Sequence, residues 1–342
     1  MTSGERGSGG QVERGVGAAQ EAGPDRPTRL RGRLWWAAIR RTVSEFQKDE
    51  LSDRAAALTY YAVQSIFPAL LVLVSLLGAA GESATRRVLD NLTRLTPPSA
   101  RDIITHAVEQ LRDSGGTGSV LAVVGLLGAL WSSSGYVGAF IRASNAVYDM
   151  PEGRPVWKVT PLRLLLTVVL MVLACASALI VVFTGALADQ AGVLLGVGDA
   201  GLKVWSIAKW PVLVVLVVVM IAILYWAAPN ARGRGFRWIT PGSLLALFVW
   251  LVVSGGFALY VANFGRYNRT YGTLAGVIVF LVWLWLTNVA MLFGLEFDAE
   301  LARQRAIAGG LPADAEPYVT PRDTRSWSDG EREKLAERLE PE

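Results

Sequence analysis

Cysteine and histidine are almost absent from this chain, and charged residues are scarce. Its 342 residues include one cysteine, one histidine and 18% charged residues, whereas soluble domains average about 25% charged residues. A single cysteine, Cys175, excludes a disulfide framework and a thiolate metal site within one chain. A single histidine, His106, excludes the histidine-rich ligand sets that zinc sites usually need. We therefore expect no metal, no other cofactor and no enzymatic activity.

What the chain has instead is six long apolar runs. A helix of about 20 apolar residues crosses a hydrocarbon core about 30 Å thick, and each run is long enough to do so. The sixth run is interrupted by few polar residues and ends at Glu296. The sequence therefore predicts an all-α integral membrane protein with six transmembrane helices, at about 55–80, 119–141, 161–188, 204–228, 238–264 and 271–295.

Two segments precede these spans. Residues 1–28 have almost no large apolar side chains, so we expect a disordered N-terminal tail. In 29–54 the spacing of Trp35, Ile39, Val43 and Phe46 predicts one apolar helical face, in a segment rich in arginine. Such a basic amphipathic helix is typical of one lying in the membrane surface, and a helix packed on the protein is the alternative.

The remaining segments are polar. The 55–308 region forms the transmembrane domain, and its long segment 81–118 has two short amphipathic patterns, which predict a helical outer segment over the spans. Residues 309–342 should form a charged, largely mobile cytoplasmic tail with a short helix near 329–339. The lysines and arginines that flank the spans favour both termini on the inside.

Four blocks of sequence occur together in a fixed order. They are DRAAALTYY at 53–61 leading to Phe67-Pro68, SNAVY at 144–148 with Glu152 and Arg154, Pro229-Asn230 followed by a basic turn and Pro241-Gly242, and Tyr271-Gly272 through Gly294-Leu295-Glu296. In this order the blocks resemble the YihY/BrkB family of bacterial inner-membrane proteins, over roughly residues 35–305.

The resemblance implies a six-helix protein of the bacterial plasma (inner) membrane with cytoplasmic termini. Some members were once misnamed ribonuclease BN, one branch carries a serum-resistance (virulence) name, and transport of envelope lipid precursors has been suggested for relatives. A metal-dependent nuclease needs a ligand cluster in water, which this chain lacks. Its basic segments are closer to anionic lipid headgroups than to RNA, so we expect membrane lipids as partners and no nucleic acid.

Polar residues in or near the spans are the candidate functional residues, since an intramembrane polar group needs a partner or a cavity. One set is predicted to line a polar cavity or vestibule: Tyr60, Gln64, Arg142, Asn145, Asn288 and Glu296. A second set is predicted to form ion pairs at the helix ends: Asp53, Arg54, Glu152, Arg154 and Asp298.

For Glu296, which is predicted to end the sixth span at the negative end of its helix dipole, we expect pairing with Arg54 or Arg142. For Gln64 and Asn288, simple bonding between helices is the alternative to a cavity.

Three functions fit these features. The first is a transporter or a permease for lipids or envelope precursors, which a polar cavity would favour. The second is a membrane scaffold for envelope assembly, with a homo-oligomer or assembly partner, which a solid apolar bundle would favour. The third is an intramembrane enzyme, for which no catalytic set is visible. No phosphate-binding loop pattern occurs, so the chain does not encode an ATP-driven pump by itself.

Overall fold

The computed structural model describes residues 15–79, 118–182, 199–232, 236–263 and 273–337. Within these ranges the chain is helical, apart from turns, short connections and one isolated antiparallel bridge between Ala231 and Pro321. The predicted outer segment lies outside the described residues, except for its last position, and so does His106. The described part is therefore all-α, as the sequence predicts.

The described ranges contain eight α-helices with defined bounds and one short 3-10 helix, Pro27–Arg29. The α-helices are α1 (Gly32–Lys48), α2 (Leu51–Ala79), α3 (Gly118–Val147), α4 (Val156–Val182), α5 (Asp199–Ala227), α6 (Phe236–Asn263), α7 (Thr273–Ala308) and α8 (Asp329–Glu337).

Four of these helices contain stretches that are long and apolar enough to cross a membrane, by length and composition, among the described residues. They are Val156–Val181, Gly201–Ala227, Pro241–Ala262 and Gly276–Ala308. Helices α2 and α3 coincide with the first two predicted spans, and many of their side chains lie outside the described part. Large apolar side chains are exposed along α4 to α7, as a lipid-facing surface requires.

The chain divides into two compact units. The first comprises Met1–Tyr60, Gly138–Pro161 and Ile221–Glu342, and the second comprises Tyr61–Val137 and Leu162–Met220. Inside the second unit, the guanidinium of Arg163 lies 5.0 Å from the centre of the Trp131 ring. The first unit holds all of the contacts described below.

Helices α6 and α7 approach each other closely in the first unit. A Cβ atom on Gly242 would lie 2.3 Å from the carbonyl oxygen of Gly294, so there is no room for a side chain at position 242. The backbone N–H of Gly242 also donates a hydrogen bond to Asp298, with 2.7 Å between N and Oδ1. Asp298 thus accepts a hydrogen bond from inside α6, next to Pro241, which has no backbone N–H of its own.

Helix α1 packs against α7 and also exposes apolar side chains. The ring centres of Trp35 and Phe297 are 5.8 Å apart, and Phe46 lies 5.9 Å from Phe293. Ile39 and Val43 are exposed. At 3.6 residues per turn, Trp35, Ile39, Val43 and Phe46 lie within about 80° of one another, so they share one face of α1, and only part of that face packs on α7.

Both tails contain ordered structure that the sequence analysis did not expect. Residues 15–22 are helical, and Val16 is buried, whereas residues 1–14 lie outside the described part. Arg305 donates a hydrogen bond from Nε to the carbonyl oxygen of Pro24, at 2.9 Å. The expectation of disorder fails at 15–28 because contacts with distant residues supply the burial that the segment lacks by itself.

The C-terminal segment differs from expectation in the same way. Tyr318, Val319 and Trp327 are buried, although the surrounding tail is rich in charge. Helix α8 begins after Ser328, which exchanges hydrogen bonds with Glu331 in a capping box. The short helix predicted near 329–339 is present. Residues 309–328, which were expected to be mobile, belong to the first unit.

Candidate ligand-binding cavity at the helix ends

A cavity of about 460 Å³ lies where α1, α2 and α3 begin or end. We call it the Asp49 cavity. Its lining residues carry charges of both signs: Asp49, Arg54, Arg142, Asn145, Ala146, Asp149, Met150, Pro151, Glu152 and Glu331. Three separate stretches of sequence therefore contribute to one site.

Two tight helix ends place the acidic residues of this cavity. Helix α3 ends in a Schellman motif, in which Met150 donates its N–H to the carbonyl of Asn145 and Asp149 donates to Ala146, both at 2.9 Å. Asp149 has φ of +47°. At the end of α1, Asp49 precedes Glu50, which has φ of +51°. Non-glycine residues rarely adopt this left-handed conformation.

One wall of the cavity continues into a group of hydrogen-bonded residues that we call the Asn230 network: Asn145, Glu152, Arg154, Asn230 and Asp323. The side chain of Asn145 donates to Glu152 at 2.9 Å and accepts the backbone N–H of Asn230 at 2.7 Å. The side chain of Asn230 donates to the carbonyl of Asp323 at 2.8 Å. The network thus ties the end of α3 to the end of α5 and to the C-terminal segment.

Arg154 is the most heavily bonded member of the network. It forms a bidentate pair with Glu152, with both N–O distances 2.7 Å, and it also donates to the carbonyls of Ala227 and Ala228 at the end of α5. A cation at a helix C-terminus is favourable because it lies at the negative end of the helix dipole. Partial burial alone would raise the pKa of Glu152, but the hydrogen bonds from Arg154 and Asn145 outweigh burial and lower that pKa.

The C-terminal segment packs directly on this network. The indole N–H of Trp327 donates to the carbonyl of Pro151 at 3.1 Å, and Ser326 donates its backbone N–H to Gly153 at 3.0 Å. A Cβ atom on Gly153 would lie 1.9 Å from the carbonyl oxygen of Asp323. Glycine is therefore required at 153 for the two backbones to approach each other.

Asp49 and Arg54 contrast with the network. Among the described residues, Arg54 makes one hydrogen bond, from Nε to the backbone carbonyl of Asp49 at 3.0 Å, and no ion pair. The carboxylate of Asp49 accepts no hydrogen bond within those ranges. Burial raises the pKa of Asp49 to about 6, and the carboxylates of Asp149 and Glu45 add to this effect while Arg54 opposes it.

The other residues predicted for the cavity lie elsewhere. Asn288 is buried and donates to the hydroxyl of Thr59 at 3.1 Å, so it joins α7 to α2. Tyr60 and Gln64 are exposed. Of the predicted cavity residues, the structure therefore brings Arg142 and Asn145 together in the Asp49 cavity.

Glu296 is buried, and its Oε2 atom has no hydrogen-bond partner among the described residues. No ion pair of Glu296 occurs there either, so the expected pairing with Arg54 or Arg142 is not found. The neighbouring acid that does pair is Glu300, whose Oε2 atom lies 2.9 Å from Nε of Arg41. The sequence analysis misplaced the pair because it counted only cations at the span ends and overlooked α1 packed against α7.

The residues predicted to form ion pairs at the helix ends fall into three groups. Glu152 and Arg154 form the pair described above. Asp298 bonds to the backbone of Gly242 and makes no ion pair among the described residues. Asp53 is exposed and, within the same ranges, has no ion-pair partner. The two candidate sets did not include Asp49 and Asp149, which line the cavity, or Asp323, in the tail.

One feature of the sequence indicates that the C-terminal segment packs on the rest of the protein. Tyr318 and Trp327 are large aromatic residues in a segment that is otherwise charged and rich in turns. Such residues seldom occur in mobile tails, which are poor in aromatic side chains. The described residues contain no group of three or more His, Cys, Asp or Glu side chains placed to hold a metal ion.

Comparisons with known proteins identify the family. The family model described as "Virulence factor BrkB" matches residues 42–317. A ribonuclease-like protein, YfkH, of Bacillus subtilis (strain 168) is 30% identical over 283 residues, which cover 82% of this chain and 98% of the relative. No solved structure gives a significant match.

Two relatives with the name "UPF0761 membrane protein" are also similar. The one from Alkalilimnicola ehrlichii is 30% identical over 282 residues, covering 78% of this chain and 60% of the relative. The one from Xanthomonas campestris pv. campestris (strain 8004) is 27% identical over 304 residues, covering 85% of this chain and 67% of the relative. This chain thus spans about two thirds or less of these two longer relatives. Since the family model covers most of the sequence, the chain belongs to the BrkB family of membrane proteins.

Proposed function

We propose that this chain is a permease of the bacterial inner membrane and that its solute or lipid headgroup enters through the Asp49 cavity. The observation that carries this proposal is the pair Asp49 and Arg54, which line one cavity without forming an ion pair with each other or with another described residue. Partly buried charged groups are less well solvated than exposed ones, so an incoming polar ligand would supply the partner that they lack. The volume of about 460 Å³ lies within the range of small-molecule sites.

The proposal includes a membrane arrangement with six spans, α2 to α7, and both termini in the cytoplasm. The support comes from the basic residues near the cavity end of the spans, since such residues are enriched on the cytoplasmic side. Single cysteines at Ser44 in α1 and at Ser328 before α8, in a Cys175→Ala background, test it. Both sites should react with an impermeant thiol reagent only in inverted vesicles, and reaction in intact cells would contradict the arrangement.

Helix α1 is proposed to lie in the membrane surface while it packs on α7. Trp36, Ile39 and Val43 are exposed, and Trp36 is 69% exposed. Arg33, Arg40 and Lys48 flank this apolar stripe, as in helices that bind anionic headgroups. The free peptide 31–49 should bind anionic vesicles, and replacement of its basic residues by glutamine should weaken binding at low salt.

Reconstitution tests the permease function directly. The purified chain is placed in liposomes that contain a lipid labelled on its acyl chain, so that the headgroup stays free. Proteoliposomes should move this lipid between leaflets faster than protein-free liposomes do. The double variant Asp49→Asn/Arg54→Gln should lose most of this activity, whereas Arg29→Gln, at an exposed position outside the cavity lining, should keep it. An equal rate in the double variant would contradict the proposal.

A scaffold for envelope assembly is the second candidate, and one set of contacts favours it. Asn288 bonds to Thr59 within the bundle, and α6 and α7 pack so closely at Gly242 and Gly294 that neither position has room for a Cβ atom. A scaffold would act through a homo-oligomer or an assembly partner. It would show no transbilayer movement in the liposome assay, and the Asp49 and Arg54 variants would then leave envelope phenotypes unchanged in cells.

A further inference from the structure

We propose that the Asp49 cavity binds a zwitterion, with a phosphate ester on Arg54 and an ammonium group on Asp49 and Asp149. This inference deepens the proposed function and rests on it for the role of the cavity in transport. Binding itself can be measured separately.

The first step of the argument is that Arg54 and Asp49 remain apart. Arg54 follows Asp49 by five residues, and its Nε atom bonds to the backbone carbonyl of Asp49 at 3.0 Å, not to the carboxylate. The guanidinium therefore retains N–H donors that have no partner among the described residues. Guanidinium groups bind phosphate through several parallel hydrogen bonds, so these donors suit a phosphate ester.

The second step concerns the acidic side of the cavity. Asp49 and Asp149 line the same cavity, and each influences the other electrostatically, since Asp149 raises the pKa of Asp49. Two neighbouring carboxylates repel each other, and a cation between them relieves this repulsion. An ammonium group is compact and donates three hydrogen bonds, which suits two carboxylates.

The third step is a comparison of two helix ends. Helix α7 ends in the same Schellman motif as α3, with Leu311 donating to Ala306 and Gly310 donating to Ile307, both at 3.0 Å. Its left-handed position is a glycine, with φ of +103°, whereas α3 has Asp149 at the equivalent position. Glycine is the favoured residue there. An aspartate at the cavity, where glycine would form the motif with less strain, fits a carboxylate that serves a ligand.

The charges in the cavity also discriminate between headgroups. Arg54 and Arg142 face the carboxylates of Asp49, Asp149 and Glu331, while Glu152 is already paired with Arg154. A simple anion would meet more carboxylates than arginines, and a simple cation would leave the remaining N–H donors of Arg54 unused. A phosphate ester that also carries an ammonium group matches both sets at once.

Calorimetric titration of the full chain in detergent tests this inference. Glycerophosphoethanolamine carries both charges, and glycerophosphoglycerol lacks the ammonium group. The wild type should bind the first about tenfold more tightly than the second, as expected for one lost charge-assisted hydrogen-bonding group. Arg54→Gln and Asp49→Asn should each weaken binding of glycerophosphoethanolamine about tenfold, and Arg29→Gln should not.

Conservative variants separate binding from folding. Asp49→Glu keeps its charge and should retain most of the affinity that Asp49→Asn loses. Arg54→Lys keeps the charge but not the parallel donors, so it should retain only part of the affinity that Arg54→Gln loses. Equal affinity for the two headgroups, or affinity that neither neutral substitution changes, would overturn the zwitterion site.

The same chemistry is found in a lipid headgroup and in a soluble ester, so a second measurement distinguishes these sources. Native mass spectrometry of the protein in micelles with equal amounts of phosphatidylethanolamine and phosphatidylglycerol should show retention of the former if the source is lipid. Binding of the soluble ester without lipid retention supports a soluble zwitterion. Absence of both overturns the proposal. Lipid movement in liposomes with no headgroup preference would instead retain the permease and refute only this ligand class.

Discussion

The Asn230 network and the Asp49 cavity share Asn145 and Glu152, yet their polar groups are satisfied to different degrees. In the network, Asn145 and Asn230 exchange hydrogen bonds with backbone and side-chain partners, and Arg154 contacts one carboxylate and two carbonyls. In the cavity, Asp49 and Arg54 keep bonding capacity that no described residue uses. A buried polar group that has all its hydrogen-bond partners stabilises a structure, whereas one without partners is costly. The unused bonding capacity of Asp49 and Arg54 therefore reduces the stability of the protein.

Two arginines show the difference most clearly. Arg154 is 7% exposed and acts as a structural link between the ends of α3 and α5. Arg54 is only partly buried and bonds to one backbone carbonyl. Since the two residues have the same chemistry, their different surroundings determine their roles. Substitution of Arg154 should therefore affect stability first, and substitution of Arg54 should affect ligand binding first.

The largest effect is expected for Arg154→Met. This change leaves Glu152 without its bidentate partner and removes a cation from the end of α5, so the free energy of unfolding should fall by about 3 kcal/mol. Denaturant titration in detergent measures it. The matched control is Arg325→Met, which removes an exposed guanidinium from Asp323 and should cost much less. Equal losses in both variants would show that the network adds no stability.

A smaller effect is expected for Gly153→Ala, which forces a Cβ atom against the carbonyl of Asp323. Overpacking of this kind costs about 1–3 kcal/mol, and here the C-terminal segment can detach to avoid it. Trypsin should then cleave after Arg322 and Arg325 faster than in the wild type. Gly330→Ala, whose Cβ atom would meet no other atom within 4 Å, is the control and should leave the cleavage rate unchanged.

Asp149→Gly should produce opposite changes in stability and function. Glycine adopts the left-handed conformation without strain, so the variant should be more stable by about 1 kcal/mol in thermal unfolding. The same change removes a carboxylate from the cavity and should reduce headgroup binding and lipid movement. A variant that gains stability and keeps full activity would show that Asp149 has no part in the site.

The smallest effect is a pH dependence of stability through Asp49. Its pKa of about 6 in the folded protein exceeds the ordinary value of an aspartate, so its contribution to stability is complete below the ordinary pKa and is lost as pH rises through about 6. Glu45, Asp149, Glu316 and Arg54 also influence this group. Thermal midpoints between pH 4 and pH 7.5 should fall more in the wild type than in Asp49→Asn. Parallel curves would contradict this assignment.

The sequence predicted the helices well because their signals are local. Long apolar runs and capping residues lie within each element, so α4 to α7 and the short helix α8 could be located from composition and spacing. For α1 the sequence left two alternatives, a helix in the membrane surface and a helix packed on the protein, and the structure shows that Trp35 and Phe46 pack on α7. Periodicity alone does not distinguish a side chain facing protein from one facing lipid.

The site was predicted only in part, for a similar reason. Arg142, Asn145 and the pair Glu152 and Arg154 lie near the end of one span, so their proximity could be inferred from short separation in sequence. Asn230 contacts Asp323 across 93 residues, and no local pattern specifies such a contact. Asp149 was missed because its role depends on a backbone angle, and Glu296 was paired incorrectly because Arg41 in α1 binds the neighbouring Glu300.

The central claim is that the Asn230 network stabilises the fold, whereas Asp49 and Arg54 in the Asp49 cavity bind the transported ligand. The most direct test measures two quantities in Arg54→Gln: the thermal midpoint in detergent and the rate of lipid movement in proteoliposomes with equal protein content. The account predicts a midpoint close to that of the wild type and a rate reduced about tenfold, as expected for loss of a charge-assisted hydrogen bond to the ligand. An unchanged rate, or a midpoint that falls as far as in Arg154→Met, would contradict the claim.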